Sequence, residues 1–353
     1  MGKPFVGGLA VATVLTLGLT ACSGSAGAAS GSTAKSTGSS GAGGAHPSVV
    51  NVVNGALGDQ GFFDDAARGV KALADAGSKT LNIQADANNP AQWKANLESA
   101  SSGKWDVVIT GTSQMVDALK TVAPKYPKQT FIIYDAVVPA PNVASVVYKQ
   151  NEGSFLAGVL AGLATTDKAD FPLATGSKKV GLVGGMDIPV INDFVGGFKS
   201  GVAAVDPSID VLVSYVGNFT DSNKGFDQAS AMYKQGADVV FQVAGGAGIG
   251  VLKAAAENKR YAIGVDSNQN ALDQGFVLAS MEKNIGVSLE SAVNDFAAGK
   301  LAVGKTTEYG LANNGVKLDF DNNNGIVPQK VQDQVKAYGQ KVVDGQIKVP
   351  SAF

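Results

Sequence analysis

The sequence predicts an α/β protein of two lobes, each built on a parallel β-sheet covered by helices. From Pro47 onward, short runs of β-branched residues alternate with helical stretches, which is typical of parallel sheets flanked by helices. Ten candidate strands occupy about 300 residues, more than one open sheet of ordinary size holds, so two sheets are expected. With 353 residues, 45% of them hydrophobic, the chain is long enough for about two domains.

The candidate strands form two consecutive series, each interleaved with helices. The strands are Ser48–Val53, Thr80–Gln84, Trp105–Thr110, Thr130–Tyr134 and Val143–Tyr148, then Lys179–Val183, Val211–Tyr215, Asp238–Val243, Tyr261–Val265 and Phe276–Met281. The helices include Asp64–Ala76, Ser113–Ala123, Glu152–Ala164, Asn192–Val205, Ser222–Gln235, Gly248–Asn258 and Ile285–Ala298. Sheets of this kind bind ligands at the carboxyl ends of their strands, so the residues that follow the strands are the first candidates for a site.

The composition excludes several classes of function. Lys plus Arg number 28 and Asp plus Glu number 30, so the formal net charge is −2, which argues against a nucleic-acid-binding protein. The single histidine, His46, and the single cysteine, Cys22, both lie near the N-terminus. A histidine-based catalytic triad, the usual zinc sites and an internal disulfide are therefore excluded. Chemistry by carboxylates alone remains, as does binding without chemistry.

The first 46 residues predict an export signal, a lipid anchor and a tether. Phe5–Leu19 is apolar but shorter than the roughly 20 residues of a membrane-spanning helix, which fits a signal peptide over residues 1–21. Its end, Leu-Thr-Ala-Cys22, resembles the bacterial lipobox and makes Cys22 the lipidated first residue; a plain secretory signal with an incidental cysteine is the alternative. Residues 22–46, rich in Ser, Gly and Ala, are expected to form a flexible tether of about 25 Å reach.

Polar and aromatic residues follow several of the candidate strands. They are Asn54, Phe62 and Phe63 after the first strand, Asp135 after the fourth, and Gly245, Asp266 and Lys283 in the second series. Two glycine runs, 55–61 and 245–250, lack the dinucleotide-binding and P-loop patterns and are interpreted as tight turns. From the residues alone, Asp266 could equally cap a turn, and the two phenylalanines could belong to the core.

Four stretches of the chain resemble the basic membrane protein family, whose members are lipid-anchored substrate-binding proteins of ABC importers, best known as purine-nucleoside receptors. The stretches are 152–162 (EGSFLAGVLAG), 184–191 (GGMDIPVI), 215–221 (YVGNFTD) with Lys224 and Gly225, and 236–241 (GADVVF) through 264–266 (GVD). The first two blocks are the specific ones. The resemblance extends from about residue 48 to about residue 316, with the motifs in the family's order.

The resemblance implies the type I periplasmic-binding-protein fold, in which two Rossmann-like lobes are joined by a hinge that the chain crosses three times. Residues 47–149 plus 283–310 would form lobe 1, and residues 150–282 plus 311–353 would form lobe 2. The lobes of such receptors close on the ligand by a hinge motion, and a permease recognises the closed form.

The resemblance also implies that aromatic rings hold the ligand, with two departures on that side. Phe62 matches the family's stacking aromatic, and Phe219, or less closely Phe194, is similar to a second one from the other lobe. Many members have Asp at the end of the first strand, where this chain has Asn54. Phe63 replaces the Asn of the family's Ser-Phe-Asn turn. These changes are expected to broaden or alter the base preference, unless Phe63 packs inside and Phe62 stacks alone.

The opposite side of the implied site keeps the family's residues. Asp266, Lys283 and the backbone of Gly245 resemble the family's ribose contacts, and Asp135 matches an aspartate near the ligand. A nucleoside-like ligand is therefore expected to be retained.

The predicted function is the capture of nucleosides, with purines favoured, by a receptor that is lipid-anchored on the extracytoplasmic face of the cell membrane and delivers them to an ABC permease. We expect no catalytic residue, cofactor, metal or nucleic-acid partner, and a monomer. One alternative is a receptor for another small polar ligand, such as a sugar or an autoinducer, that serves signalling. The other is a nucleoside hydrolase that uses Asp59, Asp135 or Asp266.

Overall fold

The computed structural model describes residues 46–353, which form two six-stranded β-sheets with helices packed against both. The predicted signal peptide, the lipidation site at Cys22 and the tether up to residue 45 lie outside the described residues. Within residues 46–353, no helix is long and apolar enough to cross a membrane.

The strands and helices alternate along most of the chain. The strands are β1 Val49–Val52, β2 Thr80–Ile83, β3 Val107–Gly111, β4 Thr130–Tyr134, β5 Val143–Tyr148, β6 Lys179–Gly184, β7 Asp210–Tyr215, β8 Val239–Val243, β9 Tyr261–Asp266, β10 Val277–Lys283, β11 Thr306–Tyr309 and β12 Val316–Asp319. The helices are α1 Phe62–Asp75, α2 Pro90–Ala100, α3 Val116–Val122, α4 Gln150–Thr166, α5 Pro189–Val205, α6 Ser222–Lys234, α7 Gly248–Asn258, α8 Ile285–Ala297 and α9 Gln329–Val343.

Both sheets are dominated by parallel pairs. The first sheet has the order β11-β5-β4-β3-β1-β2, and all its neighbours are parallel. The second has the order β12-β10-β9-β8-β6-β7, with the edge strand β12 antiparallel to β10. Strands β1, β3 and β8 are buried along their whole length, as expected for parallel strands covered on both faces. The prediction of two parallel-sheet α/β lobes is confirmed.

The chain passes between the two sheets three times, and the three crossing segments are hydrogen-bonded to one another. They lie between β5 and β6, between β10 and β11, and between β11 and β12. The N–H of Leu311 in the third crossing donates to a carboxylate oxygen of Glu152 in the first at 2.9 Å. The N–H of Asn284 in the second donates to the carbonyl of Gly315 in the third at 3.0 Å. Three adjacent connections of this kind make a hinge between the sheets.

Helices α4 and α5 pack backbone against backbone along what we call the glycine seam, formed by Gly158, Gly197 and Gly201. A methyl group on Gly158 of α4 would overlap the carbonyl oxygen of Phe198 in α5. A methyl group on Gly197 or Gly201 of α5 would overlap backbone atoms of α4 in the same way. Because protein interiors are close-packed, no side chain could enter this contact without separating the helices. This close contact explains why a glycine stands at position 158 within the block 152–162.

Candidate functional site

A cavity of about 430 Å³ lies at the carboxyl ends of the strands of both sheets. The residues predicted to bind the ligand all line it, and they are Asn54, Phe62, Phe63, Asp135, Phe219, Gly245, Asp266 and Lys283. The volume is within the ordinary range of small-molecule sites. The structure thus brings the eight residues together, and their contacts with a ligand stay a prediction.

An ion pair joins the two sheets at one end of the cavity. The Nζ of Lys283, at the end of β10, lies 2.5 Å from a carboxylate oxygen of Asp135, which follows β4. The two side chains are 2% and 9% exposed. The same Nζ lies 5.4, 5.1 and 5.4 Å from the ring centres of Phe62, Tyr148 and Phe194, within the range of cation–π contacts. Burial raises the pKa of the Asp135 carboxyl, and the Lys283 charge opposes that rise.

Asp266 presents a carboxylate to the cavity to which no side chain or N–H of residues 46–353 donates a hydrogen bond. The residue ends β9 with a φ of 65° and is 8% exposed. Burial raises its pKa to about 7; the Lys283 charge opposes this rise, and the negative charge of Asp135 adds to it. A ligand that donates hydrogen bonds would favour the ionised form of this carboxylate.

Two phenyl rings from the start of α1 line the first sheet's side of the cavity. The ring centres of Phe62 and Phe63 lie 5.4 Å apart at an interplanar angle of 79°, and Phe62 also contacts Tyr134 of β4 at 5.4 Å. A methyl group on Gly55 would lie 2.6 Å from the Phe63 ring, so this ring rests on glycine backbone. Both phenyl rings are only half-buried. Phe63 therefore lines the cavity and does not pack in the interior, which was the alternative.

The second sheet contributes Phe219, from the turn after β7. Its ring covers Gly185, where a methyl group would overlap it, and its Cβ lies close to Gly245. The side chain of Asn218 holds the turn, because its Oδ1 accepts the N–H groups of Thr220 and Asp221 at 2.9 and 2.8 Å. The turn thus fixes a third phenyl ring in the cavity lining.

Asp59 supports the wall of the cavity by capping helix α1. Its carboxylate accepts the backbone N–H groups of Gly61, Phe63 and Asp64 at 3.1, 2.9 and 3.1 Å. Burial raises its pKa, and these hydrogen bonds oppose the rise. Both carboxylate oxygens are occupied by the helix N-terminus, so Asp59 positions the phenyl rings and is not a free base.

The loop before α1 also contacts the second sheet directly. The Nε2 of Gln269 donates to the carbonyl of Gln60 at 3.0 Å, and the hydroxyl of Ser267 donates to the carbonyl of Gly61 at 3.0 Å. Arg68 of α1 donates to the Ser267 hydroxyl at 3.0 Å. The strand ends of the two sheets therefore meet across the cavity in this structure.

Two polar residues in the cavity lining, Thr112 and Gln114, were missed from the sequence. The hydroxyl of Thr112 donates to Oδ1 of Asn54 at 3.2 Å, and Nδ2 of Asn54 donates to Oε1 of Gln114 at 3.1 Å. Both missed residues follow β3, directly after a buried strand. Their position at a strand end was a usable signal, the same one that selected Asn54 and Asp135.

The strand order separates the cavity into two ends. We call the end with Asp135, Lys283 and Asp266 the charged end, and the end with Asn54 and Gln114 the amide end. In the first sheet, Asp135, Thr112 and Asn54 follow the neighbouring strands β4, β3 and β1. In the second, Lys283 and Asp266 end the neighbouring strands β10 and β9.

Within the described part of the chain, no group of three or more His, Cys, Asp and Glu residues could hold a metal ion.

Sequence and structure both resemble ABC transporter substrate-binding proteins. Residues 46–352 match the Bmp family model, described as ABC transporter substrate-binding protein PnrA-like. The chain is 35% identical to a CD4+ T-cell-stimulating antigen of Listeria innocua, over 84% of the chain and 85% of that protein. It is 33% identical to the ABC transporter nucleoside-binding protein BmpA of Lactococcus lactis, over 75% and 76%. Its fold matches a solute-binding protein of Aeropyrum pernix K1 with a TM-score of 0.77 and 26% identity, over 86% and 93%.

These matches confirm the predicted type I periplasmic-binding-protein fold and the predicted family. Proteins of this kind bind small molecules for a permease, and binding without chemistry is their role. The chain belongs to the Bmp family of PnrA-like ABC transporter substrate-binding proteins.

Proposed function

We propose that this protein captures nucleosides, with purines favoured, in the cavity between its sheets and delivers them to an ABC permease. The observation that carries the proposal is the Asp266 carboxylate, which has no hydrogen-bond donor from residues 46–353 and lines the same cavity as the phenyl rings. The name of the Lactococcus lactis relative, a nucleoside-binding protein, supports the same ligand class.

The charged end of the cavity suits a ribose. A carboxylate can accept hydrogen bonds from both vicinal hydroxyls at once, and such charge-assisted hydrogen bonds are strong. Asp266 would accept them, while Lys283 and Asp135 would contribute to the surrounding polar contacts. A deoxy sugar would leave the buried carboxylate incompletely paired, so the site is expected to reject it.

The phenyl rings suit a flat heterocycle. Phe62 and Phe219 come from different sheets, so a base between them would be held by both lobes. In our proposal lobe 1 is residues 47–149 plus 283–310 and lobe 2 is residues 150–282 plus 311–353, and the lobes close about the hinge. Lys283, the last residue of β10 in the second sheet, lies at the boundary between them. The hydrogen bonds of Ser267 and Gln269 to the loop before α1 would then belong to the closed form.

A thermal-shift panel tests the proposal. The purified protein would be unfolded and refolded to remove carried-over ligand, then heated with nucleosides, deoxynucleosides, free bases, ribose and simple sugars. A ligand at 100 times its Kd stabilises the folded state by about 2.7 kcal/mol, which raises the unfolding temperature by several degrees. We expect this rise with ribonucleosides and not with deoxynucleosides. A rise with sugars alone, or with no compound, would exclude the proposed function.

Replacing Phe62 or Phe219 by alanine is expected to weaken the binding of every purine nucleoside. Each substitution removes one stacking surface, which contributes about 1–3 kcal/mol per base. Isothermal titration calorimetry would measure the loss. Phe353 is 79% exposed at the C-terminus, so Phe353→Ala is the matched control. Equal affinity in all three variants would show that the base does not lie between the two rings.

We further propose that the protein is a monomer anchored on the extracytoplasmic face of the membrane by acyl chains on Cys22. One thioether-linked lipid group contributes about 0.8 kcal/mol per buried methylene, so its loss should release the protein. Cys22→Ser is expected to move the protein from the membrane fraction to the soluble fraction, with unchanged nucleoside affinity. Retention of the variant in membranes would place the anchor elsewhere.

A further inference from the structure

We infer that Gln114 reads the edge of the bound heterocycle, donating a hydrogen bond from Nε2 to an acceptor atom of the base. The inference rests on the proposed function and assigns a specificity residue to its site. It requires the bound base to place an acceptor, a ring nitrogen or a carbonyl oxygen, at the far end of the cavity.

The hydrogen bonds around Asn54 leave the amide N–H₂ of Gln114 available to a ligand. Thr112 donates to Oδ1 of Asn54, so the Nδ2 of Asn54 faces Gln114 and donates to its Oε1. The Oε1 of Gln114 is thereby engaged, and no acceptor among residues 46–353 takes a hydrogen bond from its Nε2. Gln114 is only half-buried and lines the cavity. Its amide therefore presents donors, held in one orientation by its neighbour.

The backbone at Thr112 supports a role for this turn in binding. Thr112 has a φ of 75° and a ψ of 151°, a conformation that is nearly restricted to glycine. A β-branched residue is rarely found there, because its side chain is crowded by its own backbone. Strained residues of this kind cluster at ligand-binding sites, where the surrounding structure holds them in place. In this conformation the Thr112 hydroxyl donates to Oδ1 of Asn54 at 3.2 Å.

The distance along the sheet fits a base at this position. Asn54 follows β1 and Asp135 follows β4, and β3 separates these strands. Neighbouring strands lie about 4.8 Å apart, so the chain leaves the sheet at Asn54 about 10 Å from where it leaves it at Asp135. This is the scale of a nucleoside. Gln114 follows the intervening strand β3 and is hydrogen-bonded to Asn54 at 3.1 Å. A ribose at Asp266 and Lys283 would place the far edge of its base near Gln114.

The resemblance noted in the sequence implies Asp at the position of Asn54 and Asn at the position of Phe63. In this chain Asn54 is hydrogen-bonded to Thr112 and Gln114, so in our proposal the amide donor of Gln114 reads this edge of the base. Amides of Gln and Asn recognise base edges in this way in other proteins.

The test compares ligand pairs that differ by one acceptor atom, measured on the full chain by calorimetry. Adenosine would be compared with its 1-deaza, 3-deaza and 7-deaza analogues, each of which replaces one ring nitrogen by C–H. In the unaltered protein, at least one lost acceptor is expected to weaken binding about tenfold. Gln114→Ala should bind adenosine about tenfold more weakly than the unaltered protein does. In this variant, adenosine and the analogue that lacks the recognised acceptor should bind equally.

Two further variants separate this reading from a structural effect. Gln114→Glu keeps the size of the side chain but removes the donor, so it should weaken binding at least as much as Gln114→Ala. Gln346→Ala, at an exposed position away from the cavity, should change nothing. In all variants the preference for ribonucleosides over 2′-deoxynucleosides should persist, because the charged end is intact. Unfolding temperatures of the unliganded variants would confirm that each one folds.

The possible failures are distinguishable. If the unaltered protein binds no nucleoside, the proposed function and this inference are both overturned. If the unaltered protein binds nucleosides, and each lost acceptor weakens binding equally in the unaltered protein and in the Gln114 variants, only this inference is overturned. The same holds if Gln114→Glu binds as tightly as the unaltered protein, since a carboxylate cannot donate.

Discussion

Asp266→Ala is expected to weaken ribonucleoside binding by at least about 2 kcal/mol, because it removes a buried charged acceptor from the site. Asp266 is 8% exposed and has no hydrogen-bond donor from the described residues, so a bound ribose would supply its partners. Calorimetric titration with ribonucleosides and 2′-deoxynucleosides would measure the change. The variant should lose the discrimination between the two sugars as well as affinity. Asp227→Ala, at an exposed position on α6, is the matched control.

The pH dependence of stability gives a second measurement on the same residue. Because burial raises the pKa of Asp266 to about 7, the folded protein binds more protons at this carboxyl than the unfolded chain does between about pH 4 and pH 7. The contribution of Asp266 to the free energy of unfolding therefore falls as the pH rises through that range. Asp266→Asn is expected to gain stability over the unaltered protein from pH 4 to pH 7, while its ribose affinity is lost. A constant difference across this range would contradict the assignment.

Lys283→Met is expected to have the largest effect on folding. The substitution leaves the Asp135 carboxylate buried without its cation, and breaking a buried ion pair in this way costs about 3–5 kcal/mol. Urea unfolding of the unliganded protein would measure the change in the free energy of unfolding. Nucleoside binding should also weaken, because Lys283 and Asp135 lie in the charged end of the cavity.

The double variant Lys283→Met with Asp135→Asn is the control for that prediction. It removes both charges and so avoids the uncompensated carboxylate, and it should recover most of the lost stability. If single and double variants unfold at the same urea concentration, the loss comes from the packing of the lysine chain among Phe62, Tyr148 and Phe194 and not from the charge.

The elements that the sequence predicts are those with a strong apolar signal. All ten predicted strands are present, and three of the central ones, β1, β3 and β8, are fully buried runs rich in β-branched residues. Strands β11 and β12 were missed. The sequence of β11 is TTEY and three of its four residues are exposed, and β12, VKLD, has one fully buried residue. Helices α2 and α9 were also missed. Helix α9 is mostly polar and buries only Val331, Val335, Gly339 and Val342, and α2 buries only Trp93, Leu97 and Ala100.

The candidate site was predictable to the extent that it depends on strand ends or on family motifs. Asp135 and Asp266 follow strands, and Phe219 lies in a motif of the resemblance. The hydrogen-bonded chain from Thr112 through Asn54 to Gln114 was not predictable, because it joins residues 58 and 60 positions apart through the pairing of β1 with β3. Nor does the sequence indicate that the Asp59 carboxylate accepts hydrogen bonds from backbone N–H groups at the start of α1.

The glycine seam between α4 and α5 limits what family membership says about the ligand. Its contacts are between helix backbones, and Gly158 in the most recognisable block of the chain faces α5 and not the cavity. A change there would spread two helices apart, whereas a change at Asn54 or Phe63 alters only the lining of the cavity. Homologues can therefore share the block and the transport role while carrying different cargoes, and cargo must be inferred from the strand ends.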